Sequence, residues 1–498
     1  MAPQAGRSLT SRTLDGLFWT ATGSAANVLL QLGVVAILAR LLMPSEFGTV
    51  AAATSVIGFS HIFMNLGVAP AIVQRRDLTP AHINTGFTMS VVMGVIIGAT
   101  VALCAPLIAD LYRMPQLTRI MQVLSLIFPI ASFGLVAGAL LGREMRFKRV
   151  ALRNITSYIF GYGGVSVTLA FLGFGVWALV LGTLVQTIMQ TVQTFTISGQ
   201  SLRFGWNAQA RRDLLSYGVG STLARVGNYA ANQADNIIVG RMLGPASLGI
   251  YGRAYQFISM PANLFGTVTD KVLFPAMSRV QHDRAKLERA YRQSLAIIAM
   301  VTLPISGLLF VSAPEAVGVL LGDRWSAVIP PFQVLVLGLL FRTSYKMSDS
   351  LARASAATMN RAWRQWIYAG SVIAGALVGT RYGIVGVAAG VSLAIILNFL
   401  LMLQLSMVLS GVSAKSLLVI HVRHLIVSVI TTAAAYGVMI YARDAALPQL
   451  LRLIAASTAT GATWILLSVI TPKLMGDELT WLISILKTRM GKVSTGQG

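Results

Sequence analysis

Long apolar runs, separated by short segments rich in basic residues, Gly or Pro, dominate the sequence. Fourteen of these runs have the length, about 20 residues, that an α-helix needs to cross a hydrocarbon core about 30 Å thick. Hydrophobic residues make up 55% of the chain and charged residues 11%, whereas about 25% of the residues in a soluble domain are charged. The sequence therefore predicts an all-α polytopic membrane protein. The runs lie near residues 17–41, 47–73, 84–110, 117–141, 152–172, 175–197, 213–241, 247–271, 292–314, 329–350, 365–380, 384–410, 422–442 and 450–471.

The basic residues are concentrated on one side of the predicted membrane. The chain has 39 Lys and Arg against 16 Asp and Glu, a net charge of +23. With alternate loops assigned to opposite sides, 26 of the 39 fall on the side of both termini, 8 on the other side and 5 inside helices. Basic loops are retained in the cytoplasm, so both termini are predicted to be cytoplasmic. The basic residues form no aromatic-interleaved block of the kind that binds nucleic acid, and no nucleic-acid partner is expected.

Two segments of the chain resemble each other at an offset of 201 residues. ILARLLMPSEFG begins at Ile37 and IVGRMLGPASLG begins at Ile238. A weaker similarity links GVWALVLG from Gly175 with GIVGVAAG from Gly383. Six helices, an even number, separate the partners, so the halves should share one orientation and be related by a pseudo-two-fold axis along the membrane normal. The pairs are Asn27 with Asn228, Arg40 with Arg241, Pro44 with Pro245, and Gly48 with Gly249.

The repeat predicts two six-helix lobes followed by two extra helices. Two such lobes around one cavity are typical of an alternating-access transporter. The predicted boundaries are 1–198 for the amino-terminal lobe, 199–212 for a cytoplasmic linker, 213–411 for the second lobe, 412–472 for helices 13 and 14, and 473–498 for a cytoplasmic tail.

The helix predicted from residue 213 carries a polar stripe. Arg225, Asn228, Asn232 and Asp235 follow at intervals of 3, 4 and 3 residues, so all four fall on one face. A charge at the bilayer centre costs roughly 2.5–3.5 kcal/mol on insertion scales, so this face should line a wet interior. The alternative is that Arg225 and Asp235 only neutralise groups on neighbouring helices.

Four other helices carry polar stripes, which differ between the predicted lobes. Those of the first lobe are polar but uncharged. All five basic residues inside helices fall in the second lobe, against three acidic ones, a surplus of +2. A cationic cavity favours an anion whose phosphate oxygens Arg can hold in a bidentate manner. The stripes are Thr20, Ser24, Asn27 and Gln31 in helix 1; Gln186, Gln190 and Gln193 in helix 6; Arg253, Gln256, Asn263, Thr267 and Lys271 in helix 8; and Arg342, Tyr345, Lys346 and Asp349 in helix 10.

These stripes define the candidate site residues. Arg225 and Arg342 are the deepest basic residues, whereas Arg253, Lys271 and Asp349 lie near helix ends, where snorkelling to the surface is the alternative. Asp235 and Asp349 are candidate proton or sodium sites, or countercharges. The predicted substrate-binding residues are Asn27, Gln31, Gln186, Gln190, Arg225, Asn228, Asn232, Arg253, Lys271, Arg342, Tyr345 and Lys346.

Several segments, in this order and spacing, resemble the polysaccharide transporter family. They are FGTVAAATSVI, LGVAPAIVQRRDLTPA, GREMRFKR, DNIIVGRMLGPASLGIYGRAYQ, VLFPAMSRVQHDRAKL and GDRWSAVIPPFQVL, and the resemblance extends over residues 10 to 410. It is closest to the colanic acid exporter branch of Wzx-type flippases, within the MOP superfamily that includes multidrug antiporters and the lipid II flippase. The resemblance implies a MATE-like fold in the bacterial inner membrane. It also implies export of an undecaprenyl-diphosphate-linked oligosaccharide repeat unit, with membrane lipids, a polysaccharide polymerase and chain-length or export proteins as candidate partners.

Other functional classes fit the residues less well. A glycan-synthesising enzyme would need acidic catalytic residues on a large aqueous loop, but the outer loops are short and no DxD pair occurs. The alternative function is that of a cation-coupled multidrug exporter or a lipid II-like exporter of the same superfamily. A drug exporter would need an acidic cavity, whereas helix 1 has no ionisable residue between Asp15 and Arg40. His421 and His424 lack a nearby carboxylate or Cys, so we expect no metal. No catalytic residue or cofactor is expected, and H⁺ or Na⁺ is the candidate coupling ion.

Overall fold

The computed structural model describes residues 9–65, 67–75, 77–199, 203–269 and 273–476. Within these ranges, the side chains of residues 9–21, 25, 65, 216–228, 230–231, 264, 267–268, 275–276, 358 and 473 are not described. The described residues form helices and no β-strand, which confirms the predicted all-α class. Each predicted apolar run overlaps a helix.

Nine described helical stretches are long and apolar enough to cross a membrane, or ten if the bent pair Asp323–Leu337 and Leu339–Ala354 is counted as one span. One of the nine, Met359–Ser410, contains two consecutive helices. The protein is therefore a multi-pass membrane protein, and the predicted number of 14 crossings stays a prediction.

The chain divides into two compact units. Unit 1 comprises Met1–Arg253, Leu320–Trp325 and Val372–Val387. It therefore includes the start of the long helix that the sequence assigns to the second lobe. Its helices are α1 (Leu9–Leu41), α2 (Pro44–Asn65), α3 (Val68–Gln74), α4 (Pro80–Tyr112), α5 (Leu117–Leu124), α6 (Ile127–Arg143), α7 (Phe147–Thr156), a π-helical segment (Ser157–Gly164), α8 (Val165–Phe171), α9 (Val176–Ser198) and the first part of α10 (Ala208–Val268).

Unit 2 comprises Ala254–Val319, Ser326–Ser371 and Ala388–Gly498. The range given for α10 comprises two helices separated at Gly244, whose φ of 84° lies in the left-handed region that favours glycine. The second of these helices enters unit 2 at Ala254. The further helices are α11 (Phe274–Arg279), α12 (Arg284–Val311), α13 (Ala313–Leu320), α14 (Ile329–Leu337), α15 (Leu339–Ala354), α16 (Thr358–Gly379), α17 (Gly383–Ser410), α18 (Ala414–Asp444), α19 (Gln449–Ile470) and α20 (Pro472–Met475). Of these, α13, α16 and α17 also contribute residues to unit 1.

Helix α4 illustrates how the local sequence specifies a long membrane helix. Thr79 precedes it as N-cap and forms a capping box with His82, and Pro80 occupies the first helical position, where its missing N–H costs nothing. The side chains of Leu103 and Leu107 are 81% and 70% exposed. In a membrane, such an exposed apolar surface faces lipid.

Two arginines close the ends of neighbouring helices in unit 1. Arg143 donates hydrogen bonds to the carbonyl oxygens of Ile72 and Arg75 at the end of α3. Arg146 donates to the carbonyl oxygen of Ile197 near the end of α9 at 3.2 Å. Both guanidinium groups therefore satisfy carbonyls that a helix C-terminus leaves without intrahelical partners, and oppose the negative end of the helix dipole.

Buried apolar clusters hold each unit together. In unit 1, residues of α3, α4 and α6 pack around Phe87, with Leu214 of α10 in the same cluster. In unit 2, α12 and α15 pack around Tyr291 and Met347. The hydroxyl groups of Tyr291 and Ser348 lie 2.8 Å apart within this core, which satisfies a polar group that would otherwise be costly to bury.

Glu315 of α13 links that helix to the last two long helices, α18 and α19, within unit 2. Its side chain is 3% exposed, and Arg443 of α18 donates hydrogen bonds to both carboxylate oxygens at 2.7 and 2.9 Å. Arg452 of α19 lies 3.9 Å away. Burial raises the pKa of Glu315, but the hydrogen bonds and charge of Arg443 more than offset it, so the net pKa is lowered. Glu315 is thus buried in an ion pair with an arginine of a different helix.

Candidate substrate-binding site

The two repeat segments face each other in a close helix contact within unit 1. A methyl group added at Gly48 would overlap the carbonyl oxygen of Pro245, and one added at Gly249 would overlap the carbonyl oxygen of Pro44. The contact is reciprocal, as expected of two segments related by a local two-fold axis. The sequence repeat therefore corresponds to a physical contact, while the symmetry of complete lobes stays a prediction.

A buried tryptophan and an arginine lie beside this contact. Trp325 is fully buried and donates its indole N–H to the carbonyl oxygen of Ala39 at 2.8 Å. Its ring meets the ring of Phe47 edge-on, with centroids 5.2 Å apart. The guanidinium of Arg253 lies 4.5 Å from the centroid of the Phe47 ring, a cation–π geometry. Arg253, which the sequence assigns to the second lobe, is therefore held in unit 1.

The π-helical segment brings two tyrosines towards Arg253. Tyr158 and Tyr162 stack with centroids 5.3 Å apart, and both interact electrostatically with Arg253. Gly161 between them approaches the backbone of Gln186 so closely that a side chain would not fit. π-helical turns often occur at functional sites, and this one combines a cation with two phenols.

A second polar network joins α7 to α9. Arg153 donates to Thr194 Oγ1 and to Asn154 Oδ1, both at 2.9 Å. Gln190 donates to the same Asn154 oxygen at 3.1 Å. The sequence identifies Gln190 and counts Arg153 among the 26 basic residues on the side of both termini, and the structure places Arg153 within α7. Unit 1 therefore contains basic groups that the predicted uncharged first lobe lacks.

The remaining first-lobe candidates lie on α1. Asn27 has a buried side-chain oxygen that finds no hydrogen-bond partner within the described chain. Gln31 is half-buried. The structure therefore leaves Asn27 an acceptor able to bind a hydroxyl or amide donor.

Asp235 is a buried carboxylate in α10. It is 1% exposed, and its oxygens accept hydrogen bonds from the Tyr251 hydroxyl at 2.7 Å and from the Asn236 backbone N–H at 2.9 Å. Asn232, one turn earlier, is half-buried. Deep burial of a carboxylate in a membrane protein is costly, which keeps Asp235 a candidate for ion coupling.

Arg342 lies at the centre of an aromatic cluster in unit 2. It donates to the Tyr255 hydroxyl at 2.6 Å, and its guanidinium lies 4.4 Å from the centroid of the Tyr255 ring. Tyr345 and Tyr368 interact with it electrostatically. Arg342 Nε is buried without a hydrogen-bond partner among the described residues. The Arg342 guanidinium is thus surrounded by phenol side chains. Its Nε–H can still donate a hydrogen bond to an anion.

Two further members of the predicted α15 stripe have partners in unit 2. Lys346 donates to Asn263 Oδ1 at 2.9 Å, so the predicted stripes of helices 8 and 10 meet. Asp349 forms ion pairs with Arg353, at 3.2 Å, and with Arg361. Two guanidinium groups on one carboxylate favour the countercharge role for Asp349 over an ion-coupling role.

Some site predictions fall outside the described parts of the chain. Helix α10 passes through Arg225 and Asn228, but their side chains are not described, and Lys271 lies in an undescribed segment. Their predicted roles therefore stay predictions.

Sequence reasoning missed several residues that complete these clusters. Tyr255 and Arg342 are 87 residues apart in the chain, and no local pattern reveals that they meet. Part of the cluster around Arg253 could have been noticed in the sequence, because Tyr158 and Tyr162 share one face of a Gly-rich helix.

A family model and two curated relatives of this chain all point to polysaccharide biosynthesis. A family model described as "Polysaccharide biosynthesis protein" matches residues 37–330. The chain is 25% identical over 400 residues to the lipopolysaccharide biosynthesis protein WzxC of Escherichia coli, a match that covers 79% of this chain and 80% of that protein. It is 28% identical over 322 residues to the succinoglycan biosynthesis transport protein ExoT of Rhizobium meliloti, covering 65% of this chain and 64% of that protein.

Solved structures share the fold. The inward closed lipid II flippase MurJ has a TM-score of 0.74 at 15% identity, with 93% of this chain and all of that chain covered. An inward-facing multidrug resistance MATE transporter of the MOP superfamily has a TM-score of 0.61 at 19% identity, covering 78% of this chain and 96% of that chain. These likenesses establish that the chain shares the fold of MurJ and of the MATE transporter. With the family match covering more than half of its length, the chain belongs to the polysaccharide biosynthesis protein family of membrane proteins.

Proposed function

We propose that the protein is a flippase that moves an oligosaccharide repeat unit, linked through a diphosphate to a polyprenyl lipid, across the bacterial inner membrane for surface polysaccharide synthesis. The relatives WzxC and ExoT are named for polysaccharide biosynthesis and transport, and their roles support this assignment. Movement is from the cytoplasmic to the periplasmic leaflet, with both termini in the cytoplasm. No covalent chemistry is needed.

The observation that carries the proposal is the environment of Arg342. A guanidinium deep in a membrane protein is costly unless it is paired, yet the groups around Arg342 are phenols. None of the ion pairs that the described residues form includes it. A diphosphate supplies the missing negative charge and accepts hydrogen bonds from the guanidinium fork. The neighbouring tyrosines provide aromatic faces and hydroxyl groups for a sugar.

The second cluster, around Arg253, extends the same chemistry to unit 1. Arg253 lies against Phe47 and near two stacked tyrosines. Arg253 in unit 1 and Arg342 in unit 2 therefore each lie against an aromatic ring. We propose that each cluster, taken by itself, can bind a phosphate or a sugar of the headgroup during transport, while the polyprenyl chain stays in lipid.

The test is export in cells that depend on this gene for their surface polysaccharide. Arg342→Ala should lower surface polysaccharide and raise the pool of lipid-linked repeat unit, while the protein remains in the membrane, because removing the charge lowers the insertion cost. Arg342→Lys should retain part of the export, since it keeps the charge but loses the planar fork.

An exposed arginine provides the matched control. Arg381 lies in the turn between α16 and α17 and is exposed, so Arg381→Gln should leave export unchanged. Normal export from a well-expressed Arg225→Ala, Arg342→Ala double variant would contradict the anion-binding mechanism. Deletion of the gene with unchanged surface polysaccharide but increased drug sensitivity would instead favour the multidrug exporter.

A further inference from the structure

Residues 203–212, here termed the docked segment, comprise the approach to α10 and its first five residues, and are fixed to the first turns of α4. Thr88 Oγ1 donates to the carbonyl oxygen of Gly205 and accepts from its N–H, both at 2.9 Å. The N–H of Asn207 donates to Thr85 Oγ1 at 3.0 Å, and Asn207 Oδ1 in turn accepts from the N–H of Ala210 in the first turn of α10. The described part of the predicted linker, residues 203–212, is thus held in a defined conformation.

Two aromatic side chains of the docked segment are exposed. Phe204 contacts the ring of Phe87, with centroids 5.1 Å apart, yet it is 66% exposed. Trp206 is 60% exposed, and the guanidinium of Arg211 lies 5.6 Å from its ring centroid. Exposed Phe and Trp are costly in water, but aromatic residues are enriched where a membrane protein meets the lipid headgroups.

The length of α4 sets the depth of the docked segment. Its 33 residues span about 50 Å at 1.5 Å per residue, whereas the hydrocarbon core is about 30 Å thick. With a centred helix, about 10 Å at each end therefore extends beyond the hydrocarbon. Thr85 and Thr88 lie five and eight residues after Pro80, roughly 8–12 Å along the axis. A centred α4 therefore predicts that the docked segment lies at the boundary between headgroups and acyl chains.

The charge of the docked segment has one sign. It contains Arg203, Arg211 and Arg212, of which Arg203 and Arg212 are exposed, and no acidic residue. Asp213, which follows it, is already engaged by Arg75 at 2.8 Å. The three guanidinium groups therefore have no acidic neighbour in the segment itself.

We propose that the docked segment is a binding site for anionic phospholipid headgroups, with its arginines contacting phosphate and with Phe204 and Trp206 lying at the acyl boundary. The positive charge excess assigns this end of α4 to the cytoplasmic side, so the lipids are those of the inner leaflet. The site is independent of the transported substrate. It positions the start of α10, the helix that carries Asp235 and Arg253, at a fixed level in the membrane.

Photocrosslinking of the full-length protein tests the site. A benzophenone amino acid replaces Trp206, and the protein is reconstituted into vesicles of phosphatidylcholine containing one quarter phosphatidylglycerol. The captured lipid should contain a larger share of phosphatidylglycerol than the vesicle does. The preference is the ratio of phosphatidylglycerol to phosphatidylcholine in the captured lipid, divided by the same ratio in the vesicle. In low salt, this preference should fall about fivefold for each arginine removed in Arg203→Gln and Arg212→Gln, the effect of one basic residue at an anionic surface.

Two further variants make the result decisive. Arg381→Gln removes an exposed arginine beside Tyr382, which is 76% exposed, and should not change the lipid captured at position 206. Thr88→Val keeps every arginine but removes both hydrogen bonds to Gly205, and should reduce the preference. Capture of phosphatidylglycerol only in proportion to its share of the vesicle, no response to the arginine variants, or crosslinking to protein in place of lipid in native membranes would each overturn the proposal. An unchanged preference in Thr88→Val would overturn the role of docking.

Discussion

Substitution of Gly249 by alanine tests the reciprocal contact between the two repeat segments. The new methyl group would overlap the carbonyl oxygen of Pro44 and lie 3.1 Å from the backbone nitrogen of Gly48. Both obstacles are backbone atoms, so no side-chain rotation relieves the overlap and the helices must separate. Overpacking of this kind costs about 1–3 kcal/mol.

Gly252, one turn further along α10, is the matched control. It has no atom within 4 Å of an added methyl group. Gly252→Ala should therefore gain only the helix-propensity advantage of alanine, up to about 1 kcal/mol. Both variants share this gain, so Gly249→Ala should be less stable than Gly252→Ala by about 1–3 kcal/mol.

The assay is unfolding of the purified protein in detergent, followed by the loss of helical circular dichroism. Gly48→Ala should reproduce the effect from the opposite side. The double variant Gly48→Ala, Gly249→Ala should cost less than the sum of the two, because separating the helices for one methyl group makes room for the other. Equal stability of Gly249→Ala and Gly252→Ala, or strict additivity in the double variant, would refute the reasoning.

Three further predictions concern single groups. Tyr255→Phe keeps the ring but removes the hydroxyl that accepts a hydrogen bond from Arg342, a bond with a net value of about 1 kcal/mol, so headgroup binding should weaken about fivefold. The measurement is a binding assay with a lipid-linked sugar. An effect as large as that of Tyr255→Ala would contradict this prediction. Glu315→Gln should destabilise the protein by more than the roughly 1 kcal/mol of an exposed pair and less than the 3–5 kcal/mol of a fully buried one, because its partner Arg443 is 35% exposed. The folded-state pKa of Glu315 is lowered, so this stabilisation is present above its ordinary value of 4.5 and is lost as pH falls through the lowered pKa; thermal unfolding scans at several pH values should show the difference between wild type and Glu315→Gln disappear in acid. Asp235→Asn should leave substrate binding intact but remove the dependence of transport on the ion gradient in reconstituted vesicles, and an unchanged gradient dependence would reduce Asp235 to a countercharge.

The membrane fold follows from the sequence because hydrocarbon imposes one simple rule on every crossing segment. An apolar run of helical length has to become a helix to satisfy its own backbone. The runs near 84–110 and 422–442 accordingly appear as α4 and α18. What the rule does not fix is how helices are grouped: compact packing places Arg253 with Phe47 in unit 1, although its position in the chain places it in the second lobe.

The candidate site was predictable where periodicity alone places residues on one face. The stripe of Arg342, Lys346 and Asp349 is one example, and the contact of Lys346 with Asn263 joins two predicted stripes. Partners that come from distant segments were not predictable. The pairing of Arg342 with Tyr255, like the burial of Trp325 against Ala39, depends on tertiary packing, which a single sequence does not encode in any local spacing.

The arginines that cap helix ends have a consequence for experiments on membrane orientation. Topology is commonly tested by neutralising or moving basic loop residues and observing whether the protein inverts. Arg143 and Arg146 count towards the predicted cytoplasmic charge excess, yet they also donate hydrogen bonds to carbonyl oxygens near the ends of α3 and α9. Neutralising these two arginines would therefore remove an orientation signal and, at the same time, the hydrogen bonds that stabilise two helix ends. Arg149, which is exposed and has no such bond among the described contacts, offers a position where orientation can be probed separately from folding.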